Sequence, residues 1–104
     1  MKLFVLCGNY KLGIDKETET FTDIAKKLHE ESSELREELT FRIPDIERIA
    51  SETFDTIQVC VNLLDDLKRE GLDIDHAVNL HNMKLIDRGW TFKKALEVKK
   101  VWEA

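Results

Sequence analysis

The stretch PDIERIASETFDTIQVCVNLLDDLKREG, residues 44–71, decides the fold. Pro44 suits the first turn of a helix, where its missing N–H costs no hydrogen bond, and Asp45 and Glu47 suit the positive end of the helix dipole. Gly71 fits the position just past the helix end. Between them Ile46, Ile49, Ala50, Phe54, Ile57, Val59, Cys60, Val61, Leu63, Leu64 and Leu67 cover a wide arc. A helix apolar over so much of its girth is central to a bundle and packs on two or more neighbours.

The flanks supply the neighbours. Upstream, Thr20 and Asp23 have the spacing of a capping box, and Phe21, Ile24, Ala25, Leu28, Leu35 and Leu39 follow on one helical face. Downstream, Asp73 suits an N-cap, Ile74, Ala77, Val78, Leu80, Met83 and Ile86 follow, and Gly89 ends that helix. Thr91 caps a last short helix carrying Phe92, Ala95, Leu96, Val98 and Trp102. Leu3–Leu6 reads as a short strand or an apolar lead, after which Gly8, Asn9 and Gly13 break any regular pattern. The expected fold class is all-α, a bundle of about four helices completed by oligomerisation. Residues 1–104 form one domain: a lead over 1–19, a helical core over 20–89 and a C-terminal helix over 90–104.

Composition narrows the partners. The 104 residues are 42% hydrophobic, too apolar for a disordered acidic tail, and enough for one modest core. Asp and Glu number 21 against 16 Lys and Arg, a net charge of -5. Wrapping nucleic acid or adhering to an anionic membrane needs the opposite balance, so neither is expected as a partner. The two cysteines, Cys7 and Cys60, form no CxxC pair and no zinc spacing with histidine. Cys60, among Val59, Val61, Leu63 and Leu64, is expected to be a buried small hydrophobe. No stretch approaches the ~20 apolar residues of a membrane span, and the first residues lack a signal-peptide core. The expectation is a cytoplasmic protein.

Acids at helical spacing carry the chemistry. Helix one contains Glu30-Glu31-Ser32-Ser33-Glu34 and helix two contains Glu52-Thr53-Phe54-Asp55. Residues three apart meet on one helix face. At ~100° per residue, Glu31 projects within ~20° of the seam position held by Ile24, and Glu52 points between Val59 and Leu63. Acids turned toward a helix interface are costly unless something compensates them, and a divalent cation does so. Oxygen-only ligands select hard ions, Mg²⁺ or Mn²⁺. Glu37, Glu38, Asp65, Asp66 and Glu70 read instead as solvated or ion-paired surface. His29 and His76 read as surface residues.

Glu30-Glu31-xx-Glu34, seventeen residues, then Glu52-xx-Asp55 resembles the EExxE…ExxD signature of the MazG-like all-α nucleoside triphosphate pyrophosphohydrolases. The likeness runs over about residues 21–90 and includes His81-Asn82-Met83-Lys84 and Asp87-Arg88, which resemble the family's Lys…Arg segment. It implies hydrolysis of a nucleoside triphosphate between the α and β phosphates, giving a monophosphate and pyrophosphate. Glu31, Glu34, Glu52 and Asp55 are the implied Mg²⁺ ligands, with Mn²⁺ as a substitute. Lys84 and Arg88 are the implied phosphate contacts. Glu30 or Glu34 is the candidate to accept a proton from water, so these two are the catalytic candidates. Family members assemble as dimers or tetramers, so a homodimer or homotetramer is expected. No base-reading motif stands out; Trp90 and Asn62 are the residues nominated for the base.

Two other readings compete. One is phosphoribosyl-ATP pyrophosphohydrolase, a relative with a similar helical core. The other is a non-catalytic helical oligomerisation or adaptor module, for which the four acids are dispensable.

Overall fold

The computed structural model describes residues 2–99, and the chain divides into two compact units, Met1–Leu72 and Asp73–Ala104. The chain is mostly helical, with three α-helices and one small two-stranded ribbon among the described residues.

The first unit begins with an extended stretch and a hairpin. Strand β1 (Gly8–Asn9) pairs antiparallel with β2 (Ile14–Asp15), Gly8 opposite Asp15 and Asn9 opposite Ile14. Gly13 closes the turn at φ 68°, a conformation that favours glycine. Asp15 then caps a 3-10 turn over Lys16–Thr18, its Oδ1 accepting the Glu17 N–H at 2.9 Å. Helix α1 spans Phe21–Thr40 behind the expected capping box: Asp23 N–H donates to Thr20 Oγ1 at 3.1 Å, and Thr20 N–H to Asp23 Oδ2 at 3.0 Å.

Helix α2 spans Ile46–Arg69. Its N-cap is Asp45, whose Oδ1 accepts the Arg48 N–H at 3.2 Å, so Pro44 stands ahead of the cap and not in the first turn. The carboxylate satisfies a free helix N–H, which proline has no side-chain group to do. At the far end Gly71, at φ 101°, donates to Lys68 O and Leu72 donates to Leu67 O, a Schellman closure.

Helices α1 and α2 run antiparallel. Glu38 meets Arg48 near their junction, Glu31 meets Asp55 further along, and Ile24 lies near Leu63 and Leu67 at the open end. Ile24 and Val59 are the buried hydrophobic residues of the unit, and Glu38 and Asn62 are buried polar ones. An apolar groove of about 320 Å³ lined by Phe21, Ile24, Ala25, Leu28, Leu63 and Leu67 runs between the helices. Within this unit α2 packs against α1 and the extended lead, and the rest of its apolar arc faces out: Phe54 and Leu64 are each 47% exposed. Cys60 is likewise exposed, not buried as its neighbours in sequence suggest. Hydrophobic neighbours along a helix place a residue on the apolar arc, but burial also needs a second element over it.

The lead neither extends the ribbon nor hangs free. Gln58 Nε2 donates to the Phe4 carbonyl at 2.6 Å, and Asn62 Oδ1 accepts the Leu6 N–H at 3.1 Å. Arg69, paired with Glu17, Asp65 and Asp66, ties the 3-10 turn to the end of α2.

The second unit holds helix α3, Ile74–Asp87, capped by Asp73, which accepts the His76 N–H at 3.1 Å. Gly89 at φ 87° and the Trp90 N–H to Leu85 O bond close it. The expected last helix does not form over 91–99; Trp102 lies outside the described residues. Phe92, Leu96 and Val98 are 65%, 75% and 79% exposed, and a short helix with no surface to pack on is marginal in water. Among the described residues no helix is long and apolar enough to cross a membrane.

Candidate metal centre

The site is built on the α1–α2 seam. On α1, Glu31, Glu34 and Glu38 fall within a ~60° arc, and on α2, Arg48, Glu52 and Asp55 do the same. One carboxylate oxygen from each of Glu31, Glu52 and Asp55 lies within 4.8 Å of the others. Oxygens at ~2.1 Å from one Mg²⁺ in octahedral array stand roughly 3 to 4 Å apart, so small side-chain rotations bring the three together. Glu31 and Glu52 are half-buried and Asp55 is exposed, an arrangement with one side open to an incoming ligand.

Glu34 stands against the same group. The charge of Glu31 above all, then loss of water and the charge of Glu52, hold its carboxyl above the usual glutamate range. Like charges so close raise the free energy of the ionised site, which a cation relieves. Glu52 Oε2 is buried with no hydrogen-bond partner among the described residues. An orphaned carboxylate oxygen beside two further acids suits a hard divalent cation better than a core contact.

A cation of the chain already partly answers the charge. Lys27 Nζ lies 2.9 Å from Glu31 Oε1 and 3.8 Å from Glu30 Oε2. Its hydrogen bond to Glu31 leads the causes that raise the ammonium pKa. Glu30 itself is 62% exposed and stands outside the cluster.

One residue pair on this seam escaped the sequence reading. Glu38 is buried, not part of a solvated face, and its Oε1 lies 2.9 Å from Arg48 Nε on the opposite helix. The available signal was positional: Glu38 follows Glu31 by seven residues, and Arg48 precedes Glu52 by four. Asn62, nominated for a nucleotide base, instead accepts from Leu6 and Gln58. Lys84 and Arg88 belong to the second unit, in the last turn and at the C-cap of α3, where both are exposed, as are His81, Asn82 and Trp90.

No family model matches the chain, and neither a curated protein nor a solved structure shows a significant match to it.

Proposed function

We propose that the chain is a Mg²⁺-dependent nucleoside triphosphate pyrophosphohydrolase acting as a homo-oligomer. The sequence resemblance suggests the reaction, and one observation carries it: Glu31, Glu52 and Asp55 offer oxygens within 4.8 Å of one another, and Glu52 Oε2 has no partner among the described residues. Such a donor set suits a hard cation and has little use in an adaptor. A bound divalent cation there supplies charge neutralisation for the phosphates and acidifies water.

Glu31, Glu52 and Asp55 hold the cation. Glu34, beside Glu31 and Glu52, accepts the proton from the attacking water; Glu30, turned out toward Lys27, does not. The water oxygen bonds to the α-phosphorus, the bond from that phosphorus to the bridging oxygen breaks, and pyrophosphate leaves. Assembly is supported by the thinness of the first unit's core, Ile24 and Val59, beside an open apolar groove.

The test is pyrophosphate release from a panel of (d)NTPs and phosphoribosyl-ATP with Mg²⁺, on wild type, Glu34→Gln and Asp55→Asn. Turnover of a (d)NTP, abolished in both variants, is expected. A wild type inert on the whole panel, or variants as active as wild type, sinks the proposal. Turnover of phosphoribosyl-ATP alone moves the substrate to that compound.

A further inference from the structure

Buried ion pairs are seldom kept for stability, because replacing both partners with apolar groups is often neutral or better. The Glu38–Arg48 pair is lopsided in a way that asks for another reason. The Glu38 side chain is 6% exposed, whereas that of Arg48 is 67% exposed. Glu38 Oε2 is buried and unpartnered among the described residues. So a carboxylate has been taken out of water to hold a guanidinium that remains mostly in it.

The position of that guanidinium is informative. Arg48 stands one helical turn before Glu52, and Glu38 one turn after Glu34, so the pair forms the next level of the same seam. Of the cations on α1 and α2, only Lys27 and Arg48 share the arc of the acids, one toward each end. Lys27 is committed to Glu31 and Glu30. Arg69, on another face, is surrounded by Glu17, Asp65 and Asp66. The Arg48 side chain has Glu38 as its one acidic partner among the described residues, through Nε, and a guanidinium has further N–H groups for a second anion.

We infer that Arg48 binds the terminal phosphates of a polyphosphate whose inner phosphates lie over the Glu31–Glu52–Asp55 cation site, and that Glu38 is its positioning residue. This rests on the metal-dependent hydrolase reading above and adds an anchor on the first unit to it. The ligand class is a metal-complexed oligophosphate, and a planar guanidinium fork suits such an anion better than an ammonium does.

The experiment is calorimetric titration of the full chain with inorganic tripolyphosphate in the presence of Mn²⁺, alongside Mn²⁺ alone. Wild type, Arg48→Lys, Arg48→Met and the double variant Glu38→Gln/Arg48→Met are compared, with helical content by circular dichroism. The double variant removes the anchor without leaving a carboxylate buried and unpaired. Expected is a loss of about tenfold or more in tripolyphosphate affinity in the double variant, from lost charge-assisted hydrogen bonds, with partial retention in Arg48→Lys and unchanged Mn²⁺ affinity throughout. A double variant that binds tripolyphosphate like wild type, or a wild type that does not bind it, overturns the inference. Arg48-dependent binding without pyrophosphate release from any nucleotide keeps the anchor and removes the hydrolase reading. Nucleotide turnover with KM unchanged in the double variant does the reverse; the anchor requires KM to rise more than kcat falls.

Discussion

Asn62 Oδ1 accepts the backbone N–H of Leu6 at 3.1 Å, joining residues 56 positions apart. Asn62 is 8% exposed, and the same oxygen takes the Gln58 amide at 3.1 Å. The extended lead therefore leans on α2 through a buried side-chain acceptor, where a sheet would have supplied a backbone one.

Replacing Asn62 with alanine removes that acceptor and leaves the Leu6 N–H to water. A loss of roughly 0.5–1.5 kcal/mol is expected, the net worth of one intramolecular hydrogen bond whose donor water can then satisfy. Urea denaturation measures it, and amide hydrogen exchange at Leu6 should quicken by far more than at residues inside α1. Unchanged exchange at Leu6 contradicts the contact.

Lys27 competes with any cation for Glu31. Lys27→Gln removes the competitor while keeping a helix-forming residue at position 27. Mn²⁺ affinity measured by calorimetry should rise about two- to fivefold, the equivalent of the ~0.5–1 kcal/mol typical of a partly exposed ion pair. A weaker affinity in the variant places Lys27 on the cation's side, and the competition argument fails.

A cation held by folded-state carboxylates stabilises the fold by mass action, about 2.7 kcal/mol at a hundred times the dissociation constant. Wild-type Tm should climb with Mg²⁺ or Mn²⁺, and Glu52→Gln, which removes the unpartnered anionic oxygen, should flatten that response. Equal responses in the two proteins place the ion elsewhere.

The pH dependence follows from Glu34. Its folded-state pKa lies above the ordinary 4.5, so the folded state holds the proton more tightly than the unfolded one. For this group the repulsion is fully present above the folded value, is relieved as pH falls toward 4.5, and changes no further below it. Without metal, wild type should gain stability relative to Glu34→Gln across that window, as followed by thermal denaturation at stepped pH. Saturating Mg²⁺ should shrink the difference, because the cation now neutralises Glu31 and Glu52. A difference that is flat with pH refutes the coupling.

Short-range chemistry was legible in the sequence. The Thr20–Asp23 box, the Asp73 cap and the glycines at 71 and 89 act within a few residues of themselves, so spacing alone located three helices. The acids at 31, 34, 52 and 55 were legible because helical period fixes which side chains share a face. The Glu38–Arg48 pair was not, because it depends on the register between two helices. The exposure of Cys60 is illegible for a related reason, since it is set by what lies across from the residue. The helix expected from Thr91 shows that amphipathic spacing is insufficient where nothing covers the apolar side. The ribbon left no alternating signature, its four residues all being exposed.

The antiparallel seam has a kinetic corollary. Glu31, Glu34, Glu52 and Asp55, with Glu38 and Arg48 between them, all lie within one helical hairpin closed by residues 41–45. Their mutual separations in sequence are short, and low contact order goes with fast folding. The carboxylates are thus gathered by closure of a single loop, with no assembly of distant segments required. A cation present during refolding should act on this hairpin first, and α1 and α2 should gain exchange protection ahead of the lead, whose hold on Asn62 spans half the chain.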